Sequence, residues 1–204
     1  MNDEESVFEK TYRYYLEQIG DVDMNAVAWN LDATVEKDGL IIPLFGEELF
    51  ASANGIQDAG GNRPSIDICV ILSKYILICP KELPVDKEWV SYRDFRDAGP
   101  LINYFSNDVE QAIGKRFAGK LDALQKAGEA IGGYTPELDV SNDVGMQFDA
   151  LPRIPMTLLF NDADDEFEAT CSVLFQRRTE QHLDAECIAM LGWQLAYRLK
   201  KVAG

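Results

Sequence analysis

The chain has a single histidine, His182, and that scarcity removes most hydrolytic machinery at once. A nucleophilic triad needs a base that titrates near neutrality, and no GxSxG elbow accompanies this one. His182 follows Arg177-Arg178-Thr179-Glu180-Gln181 beside a helix start, where its expected work is surface packing or a local hydrogen bond. Closely spaced cysteines are missing as well. Cys69, Cys79, Cys171 and Cys187 occur without the CxxC spacing that clamps zinc or an iron–sulfur cluster from one loop. Most of them lie in apolar stretches and read as small hydrophobes; a metal held by distant cysteines and disulfides are the alternatives. No metal site and no cofactor is assigned.

Long apolar runs are lacking too. The longest, Ile66 to Cys79, is interrupted by Asp67, Ser73 and Lys74 and falls short of the roughly 20 apolar residues a bilayer requires, so no membrane partner is expected. The acidic N-terminus, MNDEESVFEK, is unlike the basic start of a signal peptide, so a cytoplasmic location is expected. Basic residues are few: 19 Lys and Arg face 35 Asp and Glu, for a formal charge of −16. That field repels phosphate backbones and argues against nucleic acid, while suiting solubility or a basic docking partner. Gly60-Gly61-Asn62-Arg63 has no Lys-Ser or Lys-Thr behind it, so it reads as a flexible loop and not a phosphate cradle.

What is present is a full-sized core, with 47% apolar residues in 204, sufficient for a single domain spanning 1–204. Residues 5 to 19 space Val7, Phe8, Tyr12, Tyr15, Leu16 and Ile19 as a first amphipathic helix, with Ser6 or an acidic neighbour as cap. A first strand block follows over about 26–53: Ala26 to Leu31, then Leu40 to Phe45 behind an Asp38-Gly39 hairpin signal, then Glu48 to Ala53. Pro43 lacks a ladder donor and marks an edge or a bulge. Ile66 to Ile78 favours a buried helix, and 101 to 131 reads as two or three short helices broken at Gly114, Gly119 and Gly128 and stopped by Gly132-Gly133. A second block over about 143–175 carries three strands. The latter two are joined by the acidic turn Asn161 to Glu166, short enough to force antiparallel pairing. A last helix from Asp184 to Val202 aligns Leu183, Cys187, Ile188, Leu191, Leu195 and Leu199. Helices packed on a largely antiparallel sheet, hence α+β, is the expected class.

Several landmarks then fall in a recognisable order: WVSYRDF at 89–95, Gly132-Gly133, Leu151-Pro152-Arg153-Ile154-Pro155, Asp165-Glu166-Phe167 and Leu174-Phe175. Over roughly residues 20 to 200 the chain resembles an uncharacterised family of domains of unknown function from anaerobic bacteria and archaea. Some members of that family are fused to a four-iron four-sulfur cluster module of the kind seen beside corrinoid enzymes. Gln176 stands where the family tends to place an acid, and the module's closely spaced cysteines are not in this sequence. The resemblance implies no activity, and implies an iron–sulfur or corrinoid partner protein only as a separate subunit.

The most suggestive constellation is Trp89, Tyr92, Arg93 and Phe95 with Arg153. Rings supply apolar area and guanidinium groups hold carboxylates bidentately, as a planar, carboxylate-bearing ligand requires; ordinary core packing and local ion pairing are the competing reading. Asp162, Asp164, Asp165, Glu166 and Glu168 lack the calcium-loop pattern and read as a solvated turn. With no catalytic residue assigned, the expected function is a non-enzymatic accessory or small-molecule-binding domain. The rival readings are an enzyme using Asp143 or Asp149 with arginine anchoring, and a structural protein that assembles with itself, a homodimer being the common case.

Overall fold

A computed structural model describes residues 7–136, 138 and 141–204. Helix α1 (Val7–Ile19) buries Tyr12 and Ile19 against the next long helix, α3 (Ile66–Leu77). The Tyr12 hydroxyl also accepts the Ile56 amide at 2.9 Å, which ties α1 to the sheet. Ser6, the expected cap, lies outside the described residues, as does the Phe8 side chain.

Ala26 to Leu31, expected as the opening strand, is instead most of helix α2 (Met24–Leu31). Asp23 caps it by accepting the Asn25 and Ala26 amides at 3.0 and 3.3 Å, and Asp32 ends it in the left-handed region at φ 55°. Met24, Ala28 and Leu31 are buried at helical spacing while Trp29 is exposed, so helical period and not apolar content governs the segment. The first strand block therefore begins at Thr34. Strands β1 (Thr34–Glu36), β2 (Gly39–Leu44), β3 (Glu47–Ser52) and β4 (Gly55–Gln57) form a four-stranded antiparallel sheet in sequential order. The first hairpin turns at Lys37-Asp38, one residue earlier than expected, with Lys37 at φ 52°. Gly39 is needed for closeness: a Cβ there would lie 2.4 Å from the Ala51 carbonyl oxygen. Pro43 lies beyond the last residue paired with β1, so its missing donor costs no ladder bond on that side.

The second block builds a separate sheet. Strands β6 (Val144–Leu151), β7 (Ile154–Asn161) and β8 (Thr170–Gln176) run antiparallel, and β5 (Trp89–Ser91) adds to β8, giving the order β5-β8-β7-β6. The expected antiparallel α+β architecture is thus present as two sheets. They meet where the Phe45 amide, in the β2–β3 turn, donates to the Ala150 carbonyl at 3.1 Å. Between β5 and β6 lie α4 (Ile102–Phe105), a π-helical stretch Ser106–Gln111, α5 (Ala112–Phe117) and α6 (Leu121–Ala130). Gly119 breaks the run at φ 69°, but Gly114 and Gly128 lie inside helices. Gly128 lets α6 approach β6, since a Cβ there would lie 2.3 Å from the Met146 sulfur. Helix α7 (Ala185–Ala203), capped by Asp184 on the Cys187 amide, turns its predicted apolar stripe into the same core. Among the described residues no helix is long and apolar enough to cross a membrane.

Candidate functional site

The constellation read from sequence is divided by the fold. Trp89 is half-buried on β5 opposite Gln176. Tyr92 and Arg93 belong to the 3-10 turn that follows. The Tyr92 ring stacks on Phe105 at 4.4 Å and its hydroxyl donates to the Ala185 carbonyl at 2.9 Å, so it is core. Burial first, then the Asp184 and Glu186 charges, push its phenol up to about 12. Phe95 packs against both Tyr92 and Phe175. Arg93 is exposed and borders a crevice of about 20 Å³ with Tyr92 and Glu110, room for about one water.

Arg153 sits elsewhere. Pro152 and Arg153 form the tight β6–β7 turn, from which the guanidinium reaches the end of α2: Nη2 donates to the Trp29 carbonyl at 2.9 Å and Nε to the Asn30 carbonyl at 3.3 Å. Helix ends leave carbonyls unsatisfied and carry negative dipole character, so a cation there is doubly favoured. Asp32 lies 3.7 Å from Nη1, and the Arg153 amide donates to the Tyr75 hydroxyl at 3.2 Å.

His182, expected at the surface, is buried, with its ring 5.8 Å from that of Tyr75. Burial, then the charges of Arg178 and Arg153, lower its imidazole to about 4. The aromatic environment of α3 claims it, an outcome invisible in a local window of charged residues. Cys69 and Cys187 are buried, Cys79 and Cys171 half-buried, all as free thiols raised by burial. No group of three or more His, Cys, Asp or Glu is arranged to hold a metal among the described residues. The acidic turn is folded by its own carboxylates, Asp164 accepting the Glu166 and Phe167 amides at 2.8 and 2.7 Å. Asp143 accepts the Asp162 amide at 2.8 Å, and Asp149 accepts the Tyr134 hydroxyl at 2.9 Å.

A far roomier site lies on α7, where the sequence reading places none. A cleft of about 870 Å³ opens between the start of α3 and the outer face of α7, bordered by Asp67, Trp193, Gln194, Tyr197, Arg198 and Lys201. Residues 193, 197 and 201 recur every four positions, which places two rings and an ammonium along one line of the helix. Gln194 is buried and donates to Asp67, which fixes that carboxylate at the cleft wall. Arg198 pairs with Glu47 at 3.1 Å and lies over the Phe45 ring at 5.4 Å. The Trp193 indole N–H is buried with no hydrogen-bond partner among the described residues. The available signal was this second stripe, set beside the apolar one on the same helix.

These features define an α+β protein with two antiparallel sheets and an open cleft carrying both signs of charge. The chain belongs to the family described as a domain of unknown function (DUF3786), whose pattern matches residues 23–198. No curated protein and no solved structure matches the chain.

Proposed function

We propose that the chain is a non-enzymatic accessory protein, folded as one domain, that binds a small molecule in the cleft between α3 and α7. The cleft itself supports this most directly: about 870 Å³ lies within the range of small-molecule sites, and its walls combine apolar rings with a few fixed polar groups. A ligand suited to it has a flat apolar part to lie on Trp193 and Tyr197 and polar groups that meet Asp67 on one side and Lys201 on the other. The ligand lies apart from Trp89, Tyr92 and Arg93, since the Tyr92 ring stacks on Phe105 and the crevice beside Arg93 spans only about 20 Å³. The cytoplasmic location, the separate iron–sulfur or corrinoid partner implied by the resemblance, and a homodimeric state belong to the same proposal. A −16 chain suits a partner with a basic docking face.

The test is purification without oxygen, followed by an absorption spectrum, metal analysis and native mass spectrometry of the wild type and a Tyr197→Ala/Lys201→Glu variant. Both positions are exposed, so the fold is expected to tolerate the changes. A small molecule retained by the wild type and lost from the variant supports the proposal. A ligand-free wild type, or equal retention by both proteins, sinks it.

A further inference from the structure

One corner of the molecule reverses the sign of the whole. Arg153, at the β6–β7 turn, donates its backbone amide to the Tyr75 hydroxyl on α3, the His182 ring lies 5.8 Å from the Tyr75 ring, and Arg178 precedes His182 in the segment between β8 and α7, its charge acting on that imidazole. Arg153 has partners: two carbonyls of α2, and Asp32 at a loose 3.7 Å. Arg178 has none of this kind. Among the described residues no carboxylate lies within 4.0 Å of it, its buried Nε has no hydrogen-bond partner, and the charged side chain acting on it is another arginine. Beside it, His182 Nδ1 and Thr179 Oγ1 are buried and equally unpartnered, on residues 1% and 0% exposed.

Buried polar atoms are nearly always satisfied, and a partly buried guanidinium without a counter-charge carries an uncompensated desolvation cost. Three unsatisfied buried polar atoms within residues 178–182, one of them on an arginine with no carboxylate partner, share a simple remedy, an anion held against that segment. In a chain carrying −16 such a spot is not a by-product of general basicity.

We infer that this corner is an anion site, in which Arg178, flanked by Arg153 and His182, holds the oxyanion of a carboxylate- or phosphate-bearing small molecule or of a free ion. Arg178 supplies the fork of donors that suits a two-oxygen group. Arg153 adds its charge from a position fixed by α2, and His182, neutral at pH 7, donates one N–H. None of these residues borders the α3–α7 cleft, so the two proposals stand or fall separately.

The sole histidine makes the site directly observable, because imidazole resonances in the proton and nitrogen spectra belong to His182 alone. Wild-type protein is titrated with inorganic phosphate and, separately, with acetate, to about 50 mM, with chloride balancing ionic strength. The expected result is a saturable shift of the His182 resonances, a rise in its pKa by linkage, and a melting temperature higher by about 3 °C. Both responses are to be lost in Arg178→Met and largely kept in Arg178→Lys. A response to phosphate but not to acetate assigns the site to phosphate groups, and the reverse assigns it to carboxylates. His182 resonances that move with neither anion in the wild type overturn the inference, whatever the variants do. So does an equal response in folded Arg178→Met.

Discussion

Gly192 of α7 lies against the Phe105 ring so closely that a Cβ at this position would sit 2.3 Å from Cε2. The same ring stacks on Tyr92, whose hydroxyl bonds the first turn of α7, so one glycine sets how deeply the helix seats on the α4 region. Gly192→Ala is expected to destabilise the protein by about 1–3 kcal/mol, because the added methyl must displace an aromatic side chain held on several sides. Urea unfolding measures it, and a change below about 0.5 kcal/mol would show that Phe105 has room to yield.

Tyr75 couples three elements through one oxygen. Its hydroxyl donates to the Leu31 carbonyl at 2.8 Å and accepts the Arg153 amide at 3.2 Å, joining α3 to the end of α2 and to the β6–β7 turn. Tyr75→Phe leaves both backbone groups without a partner in a buried place, and a loss of about 1–3 kcal/mol is expected. A Tyr75→Phe protein as stable as the wild type would contradict that accounting.

His182 predicts a pH dependence of definite sign. Its pKa falls from an ordinary 6.5 to about 4 on folding, so between those values the unfolded chain binds more protons and stability rises with pH. The contribution is fully present above pH 6.5 and is lost progressively as pH falls toward 4, in total on the order of 3 kcal/mol. His182→Gln should flatten the stability–pH curve in that interval. A curve parallel to the wild type would assign the titration to other groups.

Glu110 predicts the opposite slope. Burial raises its carboxyl above the ordinary 4.5, against the lowering effects of the Val173 amide and Arg93. The folded state thus favours its protonated form, and stability is lost as pH rises from 4.5 through the raised value. Glu110→Gln keeps an acceptor for the Val173 amide, now 3.2 Å away, and removes the buried charge. The variant should match or exceed the wild type at pH 7 and lose that advantage near pH 4; thermal melts at the two pH values decide it.

The second sheet was legible because its signals are local. The acidic turn Asn161 to Glu166 is enough to pair β7 with β8, whereas β5 is three residues long and exists only by pairing with β8. Ala26 to Leu31, five apolar residues and Asn30, suits a buried strand and a helix alike; the Asp23 cap and the left-handed Asp32 tipped the outcome. Ser106–Gln111 adopts π geometry with no mark in its composition, and Gly114 and Gly128 serve close packing where a string of letters suggests a break. Of the site residues, Arg153 sits at the β6–β7 turn, and nothing near it in sequence announces that α2 engages it.

By itself the sequence determined the α+β class, the antiparallel hairpins, the apolar stripe of α7 and the strongly negative field, since each follows from neighbours within a few residues or from simple summation. Only the tertiary structure decided that the strands form two sheets, that His182 is interior, and that a cleft opens along α7. The reason is distance along the chain: the Arg153–Asn30 contact joins residues 123 apart, and no local periodicity encodes such a meeting.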